Sequence, residues 1–371
     1  MNYLVYLFYP ALLALLLVGV KFSGPGKWNE NVLSFKHTKA FLGFCAVLIM
    51  FHHLSQRVSA PWLNPRYIKH GLDFFVYLGY LCVAVFFFCS GYGMYTASRA
   101  KENFFSKFFV KRMLPVMIPA VTIWLVFFVI ERIKKVRIAK PVWINTYDYI
   151  WYIPAILYLY FLFWLSFKVV QKEWTGILIM ALGTAWYILL CFMFSPGSWW
   201  YNTVHLFLFG IIVAKNKEKI LAFLQKGYVL WLILSLLITA AGYFWAGYYS
   251  LIPGIAEIPA VEALYYFTQI ITQMVSAFSF VIFVLLLGMK IEIGNKVLAF
   301  LGGFTLELYL VHPLFVQLFG FAFLKDNVRP LYYIRNPFFY CLAVIALTIP
   351  VAFGIHKLVS LICGKKNPPK N

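Results

Sequence analysis

Two adjacent histidines, His52 and His53, lie within an apolar run that extends from Lys39 to Leu54. Imidazole is costly to place in hydrocarbon, so a histidine inside a membrane segment usually faces a cavity or a partner. Histidine is also the side chain best suited to transfer protons near neutral pH. The pair therefore indicates catalysis or proton handling at membrane depth.

Other ionisable residues within apolar segments are Glu307, His312 and His205. A carboxylate at the bilayer centre costs roughly 2.5–3.5 kcal/mol, so Glu307 needs a watery cavity or a structural hydrogen bond to a neighbouring helix. Glu307 and His312 are five residues apart and point about 140° apart around a helix, whereas Tyr309 and His312 share a face. His312 fits a structural or a functional role equally, and His205 is favoured as structural.

Small and basic residues follow the third apolar run. Ser90 and Gly91 either permit close helix packing, which is the default for small residues in membrane helices, or let a ligand approach the backbone. The basic residues from Arg99 to Arg112 either bind phosphates or only mark the topology. Arg112 is distinctive, because it lies at the boundary of a span and can reach inward.

These residues are carried by a chain that is almost entirely apolar. It has 371 residues, 63% of them hydrophobic and 12% charged, and a mean hydropathy of +0.82. Such a composition predicts an all-α, polytopic membrane helix bundle. The apolar runs predict about eleven spans, near residues 3–20, 39–55, 71–97, 114–131, 149–169, 175–194, 201–214, 227–247, 263–288, 297–324 and 337–361.

The net charge of +20 does not indicate nucleic-acid binding, because the basic residues occupy short loops between the predicted spans. With the N-terminus outside, 21 of the 32 lysines and arginines lie on the cytoplasmic side, so the positive-inside rule predicts N-out and C-in. The six cysteines lie in or beside apolar runs without metal-ligand spacing, and we expect no metal site.

Several short motifs recur in a defined order along the chain. They are the helix that ends in His52-His53, Phe87-Phe-Cys-Ser-Gly-Tyr92, Phe108-Phe-Val-Lys-Arg112-Met-Leu-Pro115, Trp151-Tyr152 and Leu308-Tyr309-Leu-Val-His312-Pro313. In this order the chain resembles the acyltransferase 3 family of integral membrane acyltransferases, from about Lys36 to about Lys357. Leu42 occupies the position, eleven residues before His53, at which the family carries a basic residue, and Lys39 lies one turn earlier.

The resemblance implies a core of about ten helices over residues 36–362. An extra N-terminal helix and linker precede it at 1–35, and a basic tail follows at 363–371. It also implies transfer of an acyl group, usually acetyl from acetyl-CoA, to a hydroxyl of a carbohydrate or related cell-envelope acceptor. Acyl-CoA is then a co-substrate, and no cofactor is bound permanently. The partners are the lipid bilayer, acyl-CoA and a glycan, and the expected location is the bacterial cytoplasmic membrane.

The resemblance and the residue chemistry together assign roles to individual side chains. His53 is expected to be the catalytic base, oriented or assisted by His52 and Glu307, and an acyl-histidine intermediate is an alternative route. The donor side is assigned to Arg112, Lys39, Arg99, Ser90 and Gly91. The acceptor side is assigned to Tyr92, Trp151, Tyr152, Asn202, Tyr309 and His312. Two alternatives stay open, namely a transporter or flippase of a lipid-linked glycan, and an inactive relative in which Leu42 replaces an essential cation.

Overall fold

The computed structural model of the protein describes residues 3–63, 65, 68–134, 150–170, 172–194, 197–248, 259–320 and 332–364. The predicted tail beyond residue 364 lies outside the described residues. Helices dominate the described chain, and one antiparallel ribbon pairs β1 (Lys21–Phe22) with β2 (Ile291–Glu292). The α-helices are α1 (Phe8–Leu17), α2 (Phe35–Val58), α3 (Gly79–Ala100), α4 (Leu114–Lys134), α5 (Tyr152–Trp164), α6 (Glu173–Phe194), α7 (His205–Lys215), α8 (Lys217–Lys226), α9 (Tyr228–Tyr248), α10 (Pro259–Gly288), α11 (Lys296–Leu301), α12 (Thr305–Phe319) and α13 (Pro337–Ile362).

The predicted polytopic bundle is confirmed. Among the described residues, 8 helices are long and apolar enough to cross a membrane, and Tyr3–Leu17 and Thr305–Phe319 are shorter apolar helices. Large apolar side chains such as Leu182 on α6 and Leu237 on α9 remain exposed, as expected of helices that contact lipid rather than water. The protein is therefore a multi-pass membrane protein whose partner is the bilayer.

Three predicted segments differ from the observed helices. The span predicted over 297–324 is divided into α11 and α12, because a turn at Gly302 and Gly303 interrupts the helix. The span predicted from residue 71 begins as a helix only at Gly79, after a short 3-10 turn at Asp73–Phe75. The predicted loop between spans seven and eight forms the helix α8, which has polar and apolar sides.

Glycines allow the helices around the two histidines to approach closely. A Cβ on Gly91 of α3 would lie 1.9 Å from the Phe207 carbonyl oxygen of α7, and a Cβ on Gly210 would lie 2.2 Å from the Phe88 carbonyl oxygen. On α2, a Cβ on Gly43 would lie 2.1 Å from the Leu298 carbonyl oxygen of α11. Small residues at such contacts bring helix backbones together, and here they join α3 to α7 and α2 to α11.

Candidate active site

A buried hydrogen bond joins His53 of α2 to His312 of α12. Nδ1 of His312 lies 2.9 Å from the Leu308 carbonyl oxygen, which can only accept, so this nitrogen carries the hydrogen. Nε2 of neutral His312 is then an acceptor, and it lies 2.6 Å from Nδ1 of His53. His53 therefore donates through Nδ1 and carries its lone pair on Nε2. This network selects the tautomer in which His53 Nε2 is the basic nitrogen.

His52 is bound on a different side of α2. Its Nδ1 lies 2.9 Å from the Phe75 carbonyl oxygen, and its Nε2 lies 3.2 Å from the Gln56 side-chain nitrogen. Its ring also packs against Gly79 at the start of α3. Adjacent residues on a helix point about 100° apart, which is why the two histidines have different partners. His52 adjoins His53, with ring centroids 4.9 Å apart, and anchors α2 to the turn before α3.

A cavity of about 680 Å³ runs between α2, α3, α4, α5 and the start of α12. Tyr152 and Tyr309 line it, and their ring centroids are 5.6 Å apart. His53 lies behind Tyr309, with 6.4 Å between ring centroids. The volume is within the range of small-molecule sites, and the cavity ends one aromatic ring from the paired histidines.

The Ser90-Gly91-Tyr92 segment divides between the cavity and the helix interface. Ser90 and Tyr92 line the cavity, as do Tyr152 and Tyr160 of α5. Gly91 faces α7 instead, where its lack of a side chain permits the close contact with Phe207. Close helix packing therefore applies to Gly91, whereas the approach of a ligand stays a prediction for Ser90.

The mouth of the cavity is lined by Arg112 and Lys101. The Arg112 guanidinium lies 4.9 Å from the centre of the Phe104 ring, a cation–π arrangement that holds it at the opening. Arg99 does not line the cavity, because it forms an ion pair with Glu173 at 3.0 Å. Lys39 packs against the Gly302-Gly303 turn outside the cavity lining, whereas Leu42 lines the cavity.

The remaining predicted residues lie apart from the histidine pair. Glu307 is buried and pairs with His356 of α13 at 2.9 Å, on the side of α12 opposite His312. Asn202 is buried, and its side-chain nitrogen donates a hydrogen bond of 2.9 Å to the side-chain oxygen of Gln273. Trp151 is buried against Phe87, with ring centroids 6.4 Å apart. None of the three lines the cavity. The predicted residues that the structure does bring together, at the cavity wall and behind it, are His53, His312, Tyr309, Tyr152 and Ser90.

Two polar residues of this region escaped the sequence analysis, namely His356 and Gln273. Each is a polar side chain in an apolar helix, and that signal alone marks it as a residue that needs a partner. The partners are 49 and 71 residues away in sequence, so only the packing of α12 on α13, and of the segment before α7 on α10, reveals the pairs. Within the described ranges, no group of three or more His, Cys, Asp or Glu side chains converges to hold a metal ion.

Comparison with known proteins agrees with this geometry. Residues 43–357 match the acyltransferase 3 family model, whose description is an acyltransferase domain. No curated protein and no solved structure gives a significant match. The matched region extends from α2 to α13 and includes the paired histidines, the cavity and Arg112. Because the match covers most of the sequence, the chain belongs to the acyltransferase 3 family of membrane acyltransferases.

Proposed function

We propose that the protein transfers an acyl group, with acetyl as the first candidate, from acyl-CoA to a hydroxyl of a cell-envelope carbohydrate. The observation that carries this proposal is the His53–His312 hydrogen bond of 2.6 Å beside the inner end of a cavity of about 680 Å³. Transfer to an alcohol requires a base that removes the hydroxyl proton. Nε2 of His53, which carries the lone pair in this tautomer, is that base.

The transfer proceeds in two steps, the attack on the thioester and the departure of CoA. His53 Nε2 takes the proton as the acceptor oxygen attacks the thioester carbonyl carbon, which gives a tetrahedral oxyanion. The oxyanion then collapses, the carbon–sulfur bond breaks, and the proton on His53 passes to the departing CoA sulfur. His53 keeps its Nδ1–H on His312 throughout, so the imidazolium that forms is stabilised by a charge-assisted hydrogen bond. His312 is thus a positioning residue.

The oxyanion requires hydrogen-bond donors that are already in place. Ser90 of α3 and Tyr152 of α5 both line the cavity wall. Since both belong to helices rather than loops, their positions are preorganised. We assign them to the thioester carbonyl, and we assign Tyr309, which separates the cavity from His53, to the boundary between donor and acceptor.

The donor enters at the mouth that Arg112 and Lys101 line. A guanidinium binds phosphate oxygens through paired hydrogen bonds and an ammonium binds them as a point charge, so the phosphates of CoA fit this end. The excess of basic residues in the same set of loops supports a mouth on the cytoplasmic side of the bacterial cytoplasmic membrane, with the N-terminus out and the C-terminus in. Arg99 and Lys39 contribute less, because Arg99 is engaged by Glu173 and Lys39 by the Gly302-Gly303 turn.

The test is CoA release from acetyl-CoA and longer acyl-CoAs by the full chain in nanodiscs, measured by mass spectrometry with and without envelope glycans. We expect His53→Ala to lower the rate at least about 100-fold, since general base catalysis contributes about 10²–10⁴. His205→Asn is the matched control, because it removes a half-buried imidazole from another apolar helix, α7. Wild-type protein that binds acyl-CoA and never releases CoA would refute the proposal and favour a transporter or an inactive relative.

A further inference from the structure

A second, smaller cavity lies beside the cavity of about 680 Å³, which we call the donor cavity. The smaller one, the side pocket, has a volume of about 130 Å³ and lies between α1, α2, α3, the end of α10 and the strand β2. Leu33, Thr38 and Cys89 line both cavities, so the two adjoin at these residues. Cys89 directly precedes Ser90, which we assign to the thioester carbonyl. The side pocket therefore adjoins the donor cavity at the place where the acyl chain of the donor begins.

The lining of the side pocket is almost entirely apolar, with side chains such as Val85 of α3 and Leu285 of α10. Among its described lining residues, His37 and Thr38 are the polar ones, and the Thr38 hydroxyl donates to the Ser34 carbonyl oxygen at 3.0 Å. A cavity with such a lining does not hold ordered water, and an apolar group gains free energy when it fills the cavity. The side pocket suits a hydrocarbon chain rather than a sugar or a phosphate.

The wall that α1 contributes is fixed to the rest of the bundle. The Asn295 side chain donates to the Leu15 carbonyl oxygen at 2.8 Å, and β1 pairs with β2. The backbones of Gly19 and Gly294 are in contact, because a Cβ on Gly294 would lie 2.2 Å from the Gly19 carbonyl oxygen. A pocket whose walls are already in place costs less to fill than one that must first be ordered. Since α1 precedes residue 43, where the family match begins, part of the side pocket lies outside the matched region.

We propose that the side pocket receives the hydrocarbon chain of the donor, so that the protein transfers acyl groups of about four to six carbons as well as acetyl. An apolar cavity of roughly 150 Å³ holds benzene, a molecule of about this size, and the side pocket has a volume of about 130 Å³. The chain leaves the thioester past Thr38 and Cys89 and packs against Leu16 and Val284. The inference rests on the proposed function and extends its donor from acetyl-CoA to short-chain acyl-CoA.

The test uses the full chain in nanodiscs with acetyl-, butanoyl-, hexanoyl- and octanoyl-CoA, and it measures both CoA release and the Kd of each donor. Burial of one methylene group is worth about a factor of four in affinity. We therefore expect kcat/KM to rise at least about tenfold from acetyl-CoA to butanoyl-CoA. The rise should stop after hexanoyl-CoA, because a longer chain exceeds the volume of the side pocket.

Three variants connect this dependence on chain length to the side pocket. Val284→Phe places an aromatic ring in the pocket at a half-buried position of α10, and it should lower the ratio of kcat/KM for hexanoyl-CoA to that for acetyl-CoA at least about tenfold. Val275→Phe is the matched control, since Val275 is an exposed valine of the same helix outside the pocket lining, and the ratio should stay within about twofold. Leu16→Ala enlarges the pocket from α1 and should raise kcat/KM for octanoyl-CoA relative to hexanoyl-CoA.

The two readouts separate this inference from the proposed function. A wild-type preference for acetyl-CoA over butanoyl-CoA and hexanoyl-CoA, or the same chain-length profile in wild type, Val284→Phe and Leu16→Ala, would overturn the inference while CoA release still supports the proposed function. A lipid tail that fills the side pocket would also give that result. If no donor releases CoA, the proposed function is refuted and the Kd values decide. A Kd that falls with chain length in wild type and not in Val284→Phe supports the side pocket, and equal dependence in both overturns it.

Discussion

Replacement of His312 by phenylalanine removes the acceptor of the His53 Nδ1–H and keeps an aromatic ring in the same space. In the native site that acceptor lies at 2.6 Å and is fully buried, so no water replaces it. In the proposed reaction His53 takes a proton from the substrate hydroxyl, so that its hydrogen bond to His312 becomes charge-assisted and is worth about 1.5–3 kcal/mol. At about 1.4 kcal/mol for each factor of ten, its loss predicts a fall in kcat of about 10- to 150-fold.

A change in the tautomer of His53 lowers kcat further. Without His312 the hydrogen no longer has a fixed place on Nδ1, and the fraction of His53 with its lone pair on Nε2 falls. His312→Gln is the informative partner variant, because its side-chain oxygen can accept the same hydrogen bond. We therefore expect kcat to fall least in the glutamine variant, more in the phenylalanine variant and most in His53→Ala.

The assay is CoA release under saturating acyl-CoA, with the melting temperature measured for every variant. A purely structural His312 would lower the melting temperature in both variants and leave kcat per folded molecule within about threefold of wild type. That result would refute the tautomer argument. Equal losses of kcat in the glutamine and phenylalanine variants would also refute it, since only one of them lacks an acceptor.

Three further predictions address the remaining parts of the site. Arg112→Ala should raise the KM for acyl-CoA more than it lowers kcat, and the effect should shrink at high salt as the charges are screened; an effect on the acceptor KM alone would contradict the assignment. Gly91→Ala should lower the melting temperature strongly, because its Cβ would lie 1.9 Å from the Phe207 carbonyl oxygen, whereas Gly93→Ala on the same helix meets nothing within 4 Å and should leave the melting temperature unchanged. Glu307→Ala should destabilise the protein more than Glu307→Gln, which still bonds His356, and kcat per folded molecule should persist in both; a selective loss of kcat in the glutamine variant would show that Glu307 acts in the reaction after all.

The sequence alone determined the class of protein, and it led to the prediction that His53 is the central histidine. Composition and the length of the apolar runs are sufficient for a membrane bundle, because backbone groups in lipid must bond internally and only helices of about 20 residues span it. Helix periodicity also separated Glu307 from His312, and the structure places their partners on different helices. The motif order identified the family, which the match over residues 43–357 confirms.

Tertiary structure decided which residues form the site. His53 and His312 are 259 residues apart, and no local pattern predicts that their rings meet or which nitrogen carries the proton. The same limit explains why Arg99 and Lys39 were assigned to the donor side, since both have the right charge and sequence position. In the structure, Arg99 pairs with Glu173 and Lys39 packs against the Gly302-Gly303 turn, both outside the cavity lining. Side-chain chemistry and periodicity are local properties of a chain, whereas partners, cavities and tautomers depend on which helices pack together, and that packing arises only in the complete fold.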